Sequence, residues 1–117
     1  IVVTLKHKGR HQMVWSGDLE LEGEATLLNS TPDLAATRIW KAGHHGSNTS
    51  GSAGLLELLR PEMILISCGV RNRYHHPSHG PYIYSRSAAM DTIPLMRTDL
   101  SGSIRLDWLP DGVIGWQ

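Results

Sequence analysis

The sequence predicts an α/β fold with a mixed sheet flanked by helices. Three observations lead there. Short β-branched, apolar runs alternate along the chain with amphipathic segments, the pattern of strand–helix–strand units. Apolar residues make up 40% and charged residues 19%, so the chain can build a core and is not of disordered composition. Its 117 residues suffice for a single domain and no more.

Each element has its own signal. Residues 1–6, opening on Ile1-Val2-Val3, read as a strand, and residues 12–15 return from a turn at Gly9-Arg10, giving a hairpin. Gly17-Asp18 breaks that pattern. Leu19, Leu21, Ala25 and Leu28 then fit one face of a short helix, with Glu20, Glu22 and Glu24 on its wet side. A loop over residues 29–33 carries Pro32, and residues 38–42 form the next strand, closed by Gly43. The polar run to Ser52 offers N-caps for a compact helix of Leu55, Leu56, Leu58 and Leu59, which Pro61 ends. Residues 63–67 read as a buried strand, with Cys68 a buried thiol at its end. Residues 69–80 form a long irregular loop rich in Arg, Asn, Tyr and His. A helix over 81–90 starts on Pro81; strands follow at 93–96 and 104–108, and Asp111-Gly112 turns into a last strand at 113–116.

Several function classes are excluded. Eleven basic and eleven acidic residues cancel, so net charge gives no nucleic-acid footprint, although Lys6, Lys8 and Arg10, and Arg71 and Arg73, are local basic clusters. One cysteine rules out a disulfide framework and a cysteine-rich zinc ribbon. No apolar run approaches the ~20 residues of a membrane span. The chain has no phosphate-binding Gly-Lys-Ser/Thr loop, no Gly-x-Ser-x-Gly elbow, no His-Glu-x-x-His helix and no dinucleotide fingerprint.

What remains is a set of chemistry-bearing residues just beyond strand ends, where sites form in open α/β sheets. Asp18 follows the second strand, His44 and His45 the third, and Asn72, His75 and His76 the fourth. Imidazole and carboxylate suit zinc and similar ions, and a carboxylate can bridge two of them. Taken singly, Asp18 also suits a helix N-cap, and the histidines suit an exposed loop. Adjacent residues point apart, so only one of His44 and His45 is expected to ligate a given metal.

Four segments together resemble one family. They are Ser16-Gly17-Asp18-Leu19-Glu20; Lys41-Ala42-Gly43-His44-His45-Gly46-Ser47 with Thr49-Ser50; Ser67-Cys68-Gly69-Val70-Arg71-Asn72-Arg73-Tyr74-His75-His76-Pro77; and Arg97-Thr98-Asp99 with Gly102. In order and spacing they resemble the metallo-β-lactamase-fold hydrolases, most closely the C-terminal domain of the ComEC competence proteins, which form DNA-uptake channels. The resemblance implies an αββα sandwich with a metal site at one edge of its two sheets. The family's His-x-Asp-x-Asp-His motif is not found here, so residues 1–117 correspond to the second half of such a sandwich.

Carried over by position, Asp18 matches the bridging aspartate and His44 the last histidine ligand, with His45 the alternative. His76 matches the histidine before proline, a group for phosphate contact or proton transfer. Asn72 and Tyr74 match pocket-loop positions, and His75 replaces the usual glycine. Ser47 and Arg73 are further candidates for substrate contact.

The implied cofactor is a divalent metal, zinc or manganese, dinuclear in the complete domain. The implied reaction is phosphodiester hydrolysis on a single strand of DNA during uptake. The parent protein would lie in the bacterial inner membrane, with this segment making no membrane contact. Two alternatives stand beside it: a hydrolase of small phosphoesters, and a non-catalytic binding or assembly module. A half sandwich leaves one sheet face bare, so pairing with the missing half or with a second copy is expected.

Overall fold

A computed structural model of the chain describes residues 1–78, 93–110, 112 and 114–116. It opens on the expected hairpin. β1 (Val3–His7) and β2 (Arg10–Trp15) pair antiparallel from Val3↔Trp15 to His7↔Arg10, with a register shift between Leu5 and Lys6. Lys8 and Gly9 make the turn with φ of 49° and 75°. α1 (Leu21–Ser30) and a 3-10 turn at Pro32–Leu34 lead to β3 (Ile39–Lys41). A second 3-10 turn, Gly43–Gly46, leads to α2 (Ala53–Leu59) and β4 (Met63–Ile66). Beyond lie β5 (Leu95–Arg97), the one-turn helix α3 (Thr98–Ser101), and the hairpin of β6 (Leu106–Trp108) and β7 (Ile114–Trp116).

Among the described residues, five strands form a mixed sheet in the order β1-β2-β3-β4-β5, parallel from β2 onward. Strand alternation sends successive side chains to opposite faces. Val14, Trp40, Ile64 and Ile66 face α1 and α2, and pack with Leu34, Leu55, Leu56 and Leu59. Trp40 anchors this layer: it is fully buried, and its indole N–H donates to the Ser16 hydroxyl at 2.7 Å. Met13, Ile39, Met63 and Leu65 face the other way and pack with Ile114, flanked by half-buried Trp15, Met96, Ile104, Leu106 and Trp108. Ser52 caps α2, accepting from the Leu55 N–H at 3.2 Å.

Several expectations are corrected. The second sheet face is not bare, because the β6–β7 ribbon folds across it; what stays open there is a cavity of about 360 Å³ bordered by Trp15, Lys41, Leu65 and Trp108. Glu24 does not lie on the wet side of α1 but is fully buried. Cys68 is only half-buried, beyond the end of β4. The expected N-cap role of Asp18 is not taken, since Glu20 holds that position without a side-chain cap. The helix expected over 81–90 lies outside the described residues. No helix among the described residues is long and apolar enough to cross a membrane.

The segment Arg97-Thr98-Asp99 ties β5 to β4. The Thr98 hydroxyl accepts from the Cys68 N–H at 2.9 Å and donates to the Cys68 carbonyl at 2.8 Å. Arg97 grips Asp99 through Nε at 2.9 Å and a terminal nitrogen at 2.5 Å, and the Cys68 thiol donates to the same carboxylate at 3.3 Å. The Arg97 hydrogen bonds hold the Asp99 carboxyl at about 2, down from an ordinary 3.8. Burial, then Asp99, pushes the Cys68 thiol up.

A carboxylate held low stabilises the fold above its unfolded value and ceases to do so as pH falls toward 2. Asp99→Asn should therefore lower the urea midpoint at pH 7, with the gap to wild type closing between pH 4 and pH 2. A gap that stays constant over that range would show that the ionised carboxylate is not what stabilises the junction.

Candidate functional site

Parallel pairing brings the loops together. Trp15, Lys41, Leu65 and Met96 are neighbours on one rung across β2, β3, β4 and β5. The loops that leave β2, β3 and β4 therefore start side by side at the same edge of the sheet, outside the C-terminal ends of the strands. Asp18 lies three residues beyond Trp15, and His44 three beyond Lys41.

The backbone fixes these loops to one another. The His44 N–H donates to the Gly17 carbonyl at 2.9 Å, Leu21 N–H to Thr49 at 2.9 Å, and Ser78 N–H to Gly46 at 2.9 Å. His44 and His45 both occupy left-handed backbone, with φ of 44° and 54°. For two successive residues bearing side chains this is strain of ~1–3 kcal/mol each, of the kind that persists where surroundings over-determine it. Its effect is to bring both rings to the cleft, at 63° to each other. Gly46, at φ 78°, is required: a Cβ there would stand 2.8 Å from Pro77 Cβ.

His45 is oriented from behind. Its Nδ1 lies 2.8 Å from the Ser67 carbonyl, which can only accept, so Nδ1 carries the proton. Nε2 then faces Asp18 Oδ1 at 3.7 Å. Two ligands ~2.1 Å from one zinc at the tetrahedral angle lie roughly 3.4 Å apart, so this pair has the donor chemistry and about the spacing to share an ion. His44 Nδ1 stands 2.8 Å from Glu20 Oε1 without forming a hydrogen bond to it. Among the described residues, no group of three His, Cys, Asp or Glu side chains encloses a metal position. Asp18 and the histidines thus line one side of a donor cleft.

The third loop adds His76, 5.5 Å from the His44 ring and 6.5 Å from that of His45, centre to centre. Desolvation, then the His44 and His45 imidazoles, lower its proton affinity. Across the sheet edge, burial lowers the Lys41 ammonium, opposed by the Asp18 carboxylate.

Asn72 and Ser47, two expected substrate contacts, bond within their own loops. Asn72 organises its own loop, donating to the carbonyls of Gly69 at 2.9 Å and His76 at 2.6 Å and accepting from the His76 N–H at 3.0 Å. Ser47 lies within 3.0 Å of the Thr49 hydroxyl and accepts from the Thr49 N–H at 3.2 Å. Arg73 and Tyr74 are exposed at the loop tip. His75 takes φ 57°, the left-handed region that glycine enters without cost.

Sequence reasoning missed two carboxylates. Glu20 touches His44 and accepts from the Thr49 hydroxyl at 3.0 Å. Buried Glu24 accepts from the backbone N–H groups of Gly51 at 2.6 Å and Ser52 at 2.7 Å, and so holds the loop after His45 against α1. The signal was their spacing: residues four apart share a helix face, so Glu24 follows Glu20 toward the loop. Glu24→Ala would leave two N–H groups without an acceptor, at ~1–3 kcal/mol for each that stays dry. The variant should lose about 2 kcal/mol or more in urea denaturation. A loss below 0.5 kcal/mol, on the order of a surface change, would mean that water replaces the carboxylate.

No protein-family profile matches the chain. It is 37% identical over 97 residues to "ComE operon protein 3" of Bacillus subtilis, covering 83% of this chain and 12% of that protein. It is 36% identical to "Competence protein ComA" of Neisseria gonorrhoeae over 83% of this chain and 14% of the relative. "Recombination protein 2" of Haemophilus influenzae is 28% identical over 93% of the chain and 13% of its own length. The chain spans about an eighth of these relatives. Two of the three are named for the com genes or competence, and the similarity supports a competence-related family for this chain.

Proposed function

We propose that this chain is the part of a metal-dependent phosphodiesterase that carries Asp18 and the histidines, acting on a DNA strand within a protein of DNA uptake. One observation carries the reading: His45 Nε2 turned toward Asp18 by the Ser67 carbonyl, with His44 and His76 in the same cleft. The relatives' names support the setting in competence.

Asp18 and His45 would hold a divalent ion, zinc or manganese, with His44 as a further ligand. Remaining ligands of a dinuclear site would come from residues outside this cleft. Such an ion supplies Lewis acidity toward a phosphate oxygen and lowers the pKa of a water. The chain's own residues do the rest. His76, with its proton affinity lowered, is neutral at pH 7 and can take a proton in the cleft. Arg73 supplies positive charge for the strand's backbone. The partner is single-stranded DNA, and the parent protein sits in the bacterial inner membrane. The open cavity beside Lys41 and Trp108 is a contact surface for the rest of the parent or for a second copy.

The test uses the full-length protein. Wild type should retain zinc or manganese through gel filtration by elemental analysis and cut single-stranded DNA. Asp18→Asn and His45→Gln should each lower the retained metal and slow cleavage by ~100-fold or more, the scale of losing acid–base or electrostatic catalysis. A folded full-length protein that retains no divalent metal refutes the reading. It would favour a binding module.

A further inference from the structure

The loop between β4 and β5 carries an aromatic stack that leads out of the cleft. His45 and His76 lie 6.5 Å apart with their planes at 23°, and His76 and Tyr74 lie 5.9 Å apart at 20°. The Arg73 guanidinium lies over the Tyr74 ring at 4.7 Å from its centre and donates to its hydroxyl. Beside this column is a cavity of about 180 Å³, lined by His45, Cys68, Gly69, Asn72, Tyr74 and His76. That is roughly six times a water's ~30 Å³ share of the liquid, enough for a group larger than solvent.

Tyr74 does little for the core. It is 62% exposed, so burial does not explain a large aromatic at this position. Residues 69–76, by contrast, are tied into a hydrogen-bonded turn. Asn72 bonds both ends of the turn, and His75 N–H donates to the Asn72 carbonyl at 3.1 Å. A held loop that presents an exposed aromatic plane, a covering guanidinium and a neighbouring cavity fits a flat ligand group.

Accepting the phosphodiesterase reading above, we infer that Tyr74, with Arg73 over its ring, is a stacking platform for the nucleobase next to the phosphate that enters the cleft. Aromatic side chains take any base, because every base has a π-face, and Arg adds a cation–π contact. A paired base is already stacked and has its edge engaged, so the platform selects an unpaired strand. Selectivity would therefore lie in strandedness, not in sequence.

The experiment compares two equally charged strands on the full-length protein by fluorescence anisotropy: oligothymidylate, and a strand of the same length with abasic sites throughout. Each stacked base contributes a ~5–100-fold gain in affinity. Wild type should bind oligothymidylate tighter than the abasic strand by at least that factor. Tyr74→Phe should keep the ratio, and Tyr74→Ala should bring it toward one. A ratio unchanged in Tyr74→Ala, or already one in wild type, overturns the platform while leaving the phosphodiesterase reading intact. If wild type binds neither strand, that reading fails and the platform with it.

Discussion

The rung Trp15–Lys41–Leu65–Met96 decides where chemistry can gather in this chain. Because β2, β3 and β4 run parallel and end level, their following loops share one edge, and each adds its polar residues three or more positions beyond that rung. A one-residue slip of β3 would do two things at once. It would turn Trp40 out of the helix-facing core, and it would carry His44 and His45 away from Asp18. Core and cleft are thus fixed by the same register, and burial of Trp40, Val14 and Ile64 stabilises the cleft without touching it.

The register brings the loops close; buried polar contacts then shape them. Ser16 accepts from the Trp40 indole, Gly17 from the His44 N–H, and Glu24 from Gly51 and Ser52. A carboxylate as deeply buried as Glu24 is tolerated because it answers N–H groups just ahead of α2, where donors lack partners within the helix. This network bears the left-handed backbone at His44 and His45. Relaxing either residue toward ordinary backbone would swing its ring out of the cleft, and Gly46 next to them packs so closely on Pro77 and Ile66 that no side chain fits there.

Much of this was legible in the sequence. Strand and helix positions follow from alternation, Pro61 and the turn glycines, and the residues at strand ends mark the cleft. Three things were not legible. Composition says that Glu24 is charged, not that two backbone amides await it. The doublet His44-His45 carries no mark of its left-handed backbone, because the glycines that usually announce such a turn stand on either side of it. The covering of the second sheet face by β6–β7 depends on a long-range fold-back that local pattern does not encode; only the apolar faces of Ile104, Leu106 and Ile114 hint at it. The resemblance rests on strings of residues, and within such strings a side chain can serve the loop itself.

Ser47 and Asn72 show why. Both sit in the strings that carry the resemblance, and both direct their polar atoms into their own loops. A short polar side chain beside a site has two uses: to touch the ligand or to hold the loop that does. Backbone amides and carbonyls in a long irregular loop need partners, and Asn, with two donors and an acceptor on one small group, meets three such needs at once. Once Asn72 closes the turn, the groups left pointing outward are the large ones, Arg73 and Tyr74, which no local backbone can satisfy or bury. The division of labour follows from size: small polar residues build this loop, and the long cationic and aromatic ones face whatever enters the cleft.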